Sequence, residues 1–172
     1  MKKIYITGVS GTGKTTLAKE LKKRGYHAIS IDEVENLCSW VNQETGNTHM
    51  GEAELNPEFV DKHDWICDIN LLKRMMEEGA NPVFVLGMPG NREQFYPLFD
   101  KILLLQCSPE IFCSRIDQRT DNDFGKHPEI RKQILNKFQK YNEDMISKGA
   151  IAINTERPIN EVADEVILQA SF

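Results

Sequence analysis

The stretch from Gly8 to Thr16 constrains this chain more than any other, because it fits the pattern G-x-x-x-x-G-K-[ST] at every fixed position. A short apolar run, 4–6, precedes it, and residues 15–24 after it carry apolar side chains at helical spacing. In this strand, loop and helix context, the motif curls its backbone N–H groups around one anion, and the helix N-terminus adds partial positive charge. The pattern therefore predicts a phosphate-binding loop, and the alternative is a glycine-rich turn without a ligand.

Two side chains of the loop are predicted to act on a nucleoside triphosphate directly. Lys14 is expected to bridge the β- and γ-phosphates, and the hydroxyl of Thr15 is expected to ligate Mg²⁺. The other predicted nucleotide contacts come from the rest of the loop: Gly8, Ser10, Gly11, Thr12, Gly13 and Thr16.

Composition and charge narrow the class of protein. The 172 residues are 40% hydrophobic, enough for one domain with a core but too few for two ordinary domains. A formal net charge of −5 disfavours a nucleic-acid partner, which requires clustered lysine and arginine. No apolar run approaches the ~18 residues that span a bilayer, and no signal peptide precedes the first strand. We expect a cytoplasmic monomer or homodimer with no membrane partner.

The four cysteines are Cys38, Cys67, Cys107 and Cys113. They show no C-x-x-C pairing, so reduced and mostly packed thiols are expected. Their spacing disfavours the alternative, a zinc site.

Strand and helix patterns alternate along the chain, which favours a parallel sheet with helices on both faces. Besides the first strand, four apolar runs are predicted strands: 26–31, 82–87, 102–106 and 150–153. Helices are predicted over 15–24, from 108 through 119, over 128–148 and from about 160. No repeat or linker interrupts the pattern, so we predict a single domain over residues 1–172.

An excursion of about 50 residues separates the second and third predicted strands, which is too long for an ordinary crossover. One helix is predicted over 33–41 and a long one from Asn56 to Gly79, joined by a polar loop over 42–55. Three aromatic residues of this excursion are expected either to line a substrate pocket or to form its small core: Trp40, Phe59 and Trp65.

The layout of the whole chain resembles that of the P-loop small-molecule kinases, which include nucleoside monophosphate kinases, shikimate kinase and gluconate kinase. The shared features are the early phosphate-binding loop, an acidic end to the second strand, an R-x-x-x-R helix with a short polar segment after the fourth, and a fifth strand before a C-terminal helix. The resemblance implies an α/β fold with a five-stranded parallel sheet of order 2-3-1-4-5. It also implies an acceptor-binding subregion at about 33–80 and a mobile lid at about 119–127.

Asp32, at the carboxyl end of the second strand, is the acidic residue that the resemblance singles out. In similar kinases such a carboxylate holds the metal, directly or through a bound water, or accepts the proton of an attacking hydroxyl. Asp32 is therefore a predicted catalytic, metal-binding and substrate-binding residue; the alternative is an exposed cap of the following helix. Glu33 beside it is the weaker candidate, because it could merely favour the positive end of that helix.

The tip of the third strand departs from the aspartate-bearing pattern of many P-loop proteins. It reads GMPGNR over residues 87–92, without Asp or Glu. This is closer to shikimate kinase, which implies that Gly87 lets an acceptor approach backbone N–H groups and that the metal depends on Thr15 and Asp32. Arg92 is expected either to clamp an anionic group of the substrate or to lie in solvent at a helix start.

Arg115 and Arg119, four residues apart, are expected to close over the β- and γ-phosphates, because phosphoryl transfer depends on positioning and charge neutralisation. The resemblance places Arg115 nearer the adenine and phosphates and Arg119 nearer the transferring group. The resemblance also implies that Lys126 assists closure of the lid and that Arg157 contacts the adenine. The alternative for the two arginines is pairing with surface aspartates: Asp117, Asp121 or Asp123.

Together these features predict an ATP-dependent phosphotransferase whose acceptor is a nucleoside monophosphate or a hydroxylated metabolite. Against a nucleotide acceptor, residues 40–56 lack the arginine cluster that a second phosphate needs. The alternative function is a regulatory P-loop ATPase without a small-molecule acceptor. A GTPase is disfavoured because no N-K-x-D segment follows the fourth strand.

Overall fold

The chain alternates strands and helices around a parallel sheet. The computed structural model describes residues 1–50, 55–120 and 123–172. Its strands are β1 (Lys3–Thr7), β2 (His27–Ser30), β3 (Cys38–Asn42), β4 (His63–Cys67), β5 (Val83–Leu86), β6 (Lys101–Gln106) and β7 (Ile151–Asn154). Its helices are α1 (Lys14–Lys23), α2 (Pro57–Lys62), α3 (Ile69–Glu77), α4 (Pro109–Gln118), α5 (Pro128–Ser147) and α6 (Ile159–Ser171). Two short 3₁₀ turns, Arg92–Gln94 and Tyr96–Leu98, connect β5 to β6.

Five strands form the main sheet, in the order β2-β5-β1-β6-β7, and every neighbouring pair is parallel. Counted along the chain among these five strands, the order is 2-3-1-4-5, so the predicted fold is confirmed. The central strand is β1, and it ends directly before the glycine-rich loop. Because all five strands run the same way, their carboxyl ends meet along one edge, where such folds bind ligands.

Helices cover both faces of the main sheet. Alternate residues of β1 point to opposite faces: Ile4 packs with Leu17 of α1 and Val162 of α6, whereas Tyr5 packs with Met76 of α3. A further cluster on the Tyr5 face joins β6 to α4 and α5 through Leu104, Phe112, Ile116, Tyr141 and Met145. Burial of each large apolar side chain contributes about 1.5–3 kcal/mol, so these contacts hold the helices on the sheet.

The second sheet, an antiparallel pair of β3 and β4, occupies the excursion in which only helices were predicted. The prediction of a helix over 33–41 is wrong, and so is that of one continuous helix from Asn56 to Gly79. The long segment divides because His63–Cys67 pairs with β3, and the side chain of Asp68 then accepts hydrogen bonds from the N–H groups of Asn70 and Leu71 and so begins a separate helix, α3. Tryptophan, valine and isoleucine are favoured in strands, where they form cross-strand pairs.

The loop after β5 holds β4 in place. The side-chain amide of Asn91 donates to the carbonyl of Cys67 at 2.9 Å, and its oxygen accepts from the N–H of Cys67 at 3.1 Å. The N–H of Gly90 donates to the carbonyl of Trp65 at 2.7 Å. The second sheet is thereby attached to the edge of the main sheet at which β5 ends. Within the described ranges, no helix combines the length and the apolar character needed to cross a membrane.

The cysteines are free thiols in the structure. Cys38 and Cys67 are directly opposed across β3 and β4. A hydrogen bond with Cys67, together with burial, raises the pKa of Cys38, and burial raises that of Cys107. These thiols are therefore held in their protonated, weakly nucleophilic form at neutral pH.

Candidate active site

The loop between β1 and α1 depends on Gly11 for its path. Gly11 has φ +86°, in the left-handed region, and an added Cβ would lie 2.6 Å from the carbonyl oxygen of Phe112 in α4. The hydroxyl of Thr12, which is buried, donates to the carbonyl of Val9 at 2.8 Å and closes the turn. The helix α1 begins at Lys14, so its first N–H groups, which have no partner within the helix, lie at the loop. This is the strand, loop and helix geometry that the motif predicts.

Lys14 is held inside this loop. Its ammonium donates to the carbonyl oxygens of Gly8 at 2.7 Å and Val9 at 3.1 Å. Burial, with a smaller contribution from the charge of Arg119, lowers its pKa to about 8, although the carboxylate of Asp32 acts in the opposite direction. A buried ammonium whose charged form is disfavoured gains stability from an anion beside it, which is what a phosphate would supply.

A cavity of about 1250 Å³ lies at the carboxyl edge of the main sheet. Its first part, which we call the loop half, is lined by residues 9–16 together with Arg115, Arg119, Thr155 and Arg157. Its second part, the hairpin half, is lined by residues from the end of β2, from α2, from the second sheet and its flanks, and from α5: Asp32, Glu33, Trp40, Gln43, Val60, Asp61, His63, Asp64, Trp65, Ile130, Gln133, Ile134, Lys137 and Tyr141. The two halves form one continuous space, so a ligand on the loop can meet a ligand on the second sheet.

The two arginines of the R-x-x-x-R pattern both reach the loop half. Arg115 lies in α4 and donates to the hydroxyl of Thr155 at 3.1 Å and to its carbonyl at 2.6 Å. Arg119 directly follows α4 and donates to the hydroxyl of Ser10 at 3.0 Å and to the carbonyl of Phe124. The structure therefore brings both guanidinium groups to the phosphate-binding loop.

The aspartates proposed as alternative partners of these arginines pair with other residues. Asp117 pairs with Arg131 at 2.5 Å, and Asp123 pairs with Lys126 at 2.8 Å. Asp121, the third alternative, lies outside the described residues, as do residues 51–54 of the predicted polar loop and residue 122 of the predicted lid. Lys126 is thus engaged within its own turn.

Arg157 lines the loop half from the segment after β7. It forms an ion pair with Glu165 of α6 and donates to the carbonyl of Asn154 at 3.3 Å. These contacts hold its guanidinium in the loop half, where the resemblance implies a contact with the adenine.

Asp32 stands where the two halves of the cavity meet. It follows β2 closely, and its Oδ1 accepts a hydrogen bond from Nε1 of Trp65 in β4 at 2.9 Å. No helix follows it, because residues 32–37 form turns before β3, so the helix-cap alternative is wrong. For the same reason, Glu33 does not lie at the positive end of a following helix. Its carboxylate forms a 3.4 Å ion pair with Lys19 of α1.

Two predicted substrate contacts lie outside the cavity wall. Gly87 is buried, its carbonyl accepts from the hydroxyl of Tyr5 at 2.9 Å, and a Cβ there would lie 2.1 Å from Cγ1 of Ile31. The glycine at this position therefore serves packing. Arg92 lies over the ring of Tyr141 at 5.2 Å, a cation–π contact, instead of reaching into the cavity. Neither residue is among those that line the cavity, so the cavity wall gives the two predicted substrate contacts no support.

The two tryptophans belong both to a small aromatic core and to the wall of the cavity. The ring of Trp40 lies 5.2 Å from that of Trp65 and 5.5 Å from that of Phe59, so the three form a small aromatic core. Trp40 and Trp65 also line the hairpin half.

Sequence reasoning missed several residues of the hairpin half: Asp61, His63, Asp64, Gln133, Lys137 and Tyr141. Asp61 and Asp64 flank the junction of α2 and β4, which the predicted continuous helix concealed. Tyr141 is recognisable only from the fold, because its hydroxyl lies 2.6 Å from that of Thr7 at the end of β1. Burial raises its pKa to about 12.

The residues present fit a magnesium nucleotide. The hydroxyl of Thr15 and the carboxylate of Asp32 line the same cavity, and Mg²⁺ prefers such oxygen ligands alongside phosphate oxygens and water. Among the described residues, no group of three or more His, Cys, Asp or Glu side chains forms a metal cage.

Comparison with known proteins finds similar chains among kinases. A family model described as an AAA domain matches residues 4–136. A Methanocaldococcus jannaschii protein, “Putative adenylate kinase”, is 28% identical over 171 residues, spanning 96% of this chain and 84% of the relative.

Two solved structures show the same fold. Shikimate kinase from Acinetobacter baumannii in complex with shikimate superposes with a TM-score of 0.60 at 17% identity, covering 98% of this chain and 92% of that one. Deoxyadenosine kinase from M. mycoides gives a TM-score of 0.59 at 15% identity, covering 98% of each chain. At such identities the likeness concerns the fold.

Proposed function

The chain belongs to the family described as an AAA domain, and on that premise we propose that it is a kinase that transfers the γ-phosphate of Mg-ATP to a small-molecule acceptor. The resemblance to P-loop small-molecule kinases is confirmed by this membership and by the shared fold. The observation that carries the proposal is the continuity of the loop half with a second, differently lined half. Hydrolysis alone requires the loop but has no use for a second half of this kind.

The loop half supplies the groups that a triphosphate needs. Backbone N–H groups of the loop, the N-terminus of α1 and the ammonium of Lys14 would surround the β- and γ-phosphates. Thr15 and Asp32 would hold Mg²⁺, directly or through water, and the bound metal would neutralise charge on the phosphate oxygens. Arg157, at the rim of this half, would contact the adenine.

Arg115 and Arg119 would offset the charge that develops during transfer. Both already donate hydrogen bonds at the loop half, so small rotations would bring their guanidinium groups onto phosphate oxygens. Guanidinium donors held in place before the reaction lower the barrier because they require little reorganisation.

Asp32 would orient the acceptor hydroxyl and receive its proton. The contact from Trp65 occupies Oδ1 and fixes the carboxylate at the boundary between the halves. A carboxylate accepts several hydrogen bonds, so Asp32 retains the capacity to bind an acceptor hydroxyl or a metal-bound water.

The test is the rate of ADP release with Mg-ATP, with and without a panel of acceptors. Stimulation of at least about tenfold by one compound, equivalent to ~1.4 kcal/mol in the barrier, identifies a kinase. Equal turnover throughout favours the regulatory ATPase. Lys14→Ala is the control, because loss of turnover in a variant that still folds would assign the activity to this loop.

A further inference from the structure

The hairpin half of the cavity has an excess of negative charge. Four carboxylates line it, from Asp32, Glu33, Asp61 and Asp64, against one lysine, Lys137. Glu33 is neutralised in part by Lys19. Within the part of the chain that the structure describes, the other three carboxylates form no ion pair.

Neutral side chains hold these three carboxylates in position. Asp61 accepts a hydrogen bond from Nε2 of Gln133 in α5 at 3.0 Å, and Asp64 accepts one from Nε2 of Gln43 at 3.3 Å. Asp32 accepts from Trp65, as described above. Each carboxylate therefore keeps further acceptor capacity, which hydroxyl or ammonium groups of a ligand could use.

Lys137 lines the hairpin half, but three other cationic side chains near it are engaged with neighbouring residues. Lys62 of α2 pairs with Glu58 at 2.8 Å, Arg131 pairs with Asp117, and Arg92 lies over Tyr141. Arg131 and Arg92 therefore do not offer the hairpin half the bidentate guanidinium contact that recognises a phosphate or carboxylate group. An anionic acceptor would instead meet the like charges of Asp61 and Asp64.

Trp40 and Trp65 provide the apolar part of the same wall. Indole faces pack against flat rings and attract cations, and neighbouring carboxylates add hydrogen-bond acceptors for O–H and N–H groups. The combination suits a ring that carries hydroxyl groups, either with no charge or with an amine.

We propose that the hairpin half selects a hydroxylated ring compound without negative charge, such as a nucleoside or an amino sugar, and that Asp61 and Asp64 determine this selectivity. The inference rests on the proposed kinase function and specifies its acceptor. It disfavours the nucleoside monophosphate that an adenylate kinase activity would require. The carboxylates act by repelling anions and by accepting hydrogen bonds from the acceptor.

Calorimetric titration of the full chain tests this selectivity. The loop half is first filled with Mg²⁺ and a non-hydrolysable ATP analogue, so that phosphorylated probes do not bind there. Two matched pairs are then titrated: adenosine against AMP, and glucosamine against glucosamine 6-phosphate. We expect the unphosphorylated member of at least one pair to bind at least about tenfold more tightly.

Charge reversal identifies the residues responsible. In the Asp61→Lys/Asp64→Lys double variant the preference should fall by at least about tenfold, whereas Glu77→Lys/Glu78→Lys, which reverses two exposed charges at the end of α3 outside the cavity wall, should leave it unchanged. A preference that survives the first double variant would overturn the role of Asp61 and Asp64.

The two proposals fail in different titrations. If the ATP analogue does not bind, the kinase proposal fails. The glucosamine pair can then be titrated into Lys14→Ala, because the loop of this variant lacks the ammonium that would otherwise attract the phosphorylated probe. If the phosphorylated members bind as tightly as their partners, or if neither adenosine nor glucosamine binds, the acceptor inference is overturned whatever the analogue does.

Discussion

Arg119 Nη1 donates a 3.0 Å hydrogen bond to Oγ of Ser10, so the residue that follows α4 directly contacts the phosphate-binding loop. The same guanidinium donates to the carbonyl of Phe124. It therefore connects the loop to the described part of the segment predicted to act as a lid. If this segment moves over bound nucleotide, Arg119 is positioned to move with it.

Replacement of Arg119 by alanine should lower kcat by about 10²–10³-fold while nucleotide affinity changes little, because its charge would matter most at the transition state. Ser10→Ala is the matched control, since it removes the same hydrogen bond but keeps the guanidinium. The measurements are kcat in steady state and nucleotide Kd by calorimetry. Equal losses in both variants would show that the Arg119–Ser10 contact is structural.

Asp32→Asn should lower kcat by about 10²–10⁴-fold, the range typical of a general base, with a much smaller effect on nucleotide Kd. Trp65→Phe is its control, because it deletes the N–H donor to Oδ1 and leaves the carboxylate in place. A defect in Asp32→Asn that is confined to affinity would contradict a catalytic role.

Nucleotide affinity should depend on pH through Lys14. Its pKa in the free protein is lowered to about 8, so the ammonium loses its proton as the pH rises through that value, while a bound phosphate favours the charged form. Affinity is therefore greatest below pH 8 and should fall by about tenfold at pH 9. In Lys14→Arg the guanidinium remains protonated, and whatever its absolute affinity, the decline between pH 7 and 9 should disappear. An unchanged decline would exclude Lys14 as its source.

Gly11→Ala should destabilise the fold by more than Gly25→Ala does. The two glycines have φ values of +86° and +85°, so alanine meets similar backbone strain at each, about 1–2 kcal/mol. Only at Gly11 does the new methyl group contact a backbone carbonyl, that of Phe112, which adds about 1–3 kcal/mol. Urea unfolding of both variants gives the difference, and equal losses would show that α4 yields to the methyl group without cost.

The main sheet was predictable because its strands are short apolar runs that alternate with helices, a local signal. The second sheet was not, because pairing of β3 with β4 is a contact between distant residues. In the predicted long helix, Phe59, Ile66, Ile69 and Met76 lie at helical spacing although they belong to three elements. Strand preference in the segment from His63 to Cys67 outweighed that spacing once a partner strand was available.

In the site, the loop residues and the two arginines could be predicted from motifs and their positions in the chain, whereas the residues of the hairpin half could not. Gly87 and Arg92 occupy positions that suggested a substrate contact, but packing against Ile31 and Tyr141 determines where they lie. Asp61 and Asp64 carry no motif, and only the turn from α2 into β4 brings them to the cavity.

The attachment of β4 through Asn91 has a consequence for how such a chain can evolve. The main sheet carries the phosphate-binding loop, while hydrogen bonds with the side chain of Asn91 and from the N–H of Gly90 attach β4, which carries Trp65, to the loop after β5. Substitutions at Asn91 or Gly90 would change the position of Trp65, and with it the shape of the hairpin half, while the phosphate-binding loop stays as it is. New specificities would then be accessible through a few mutations far from the transferred phosphate.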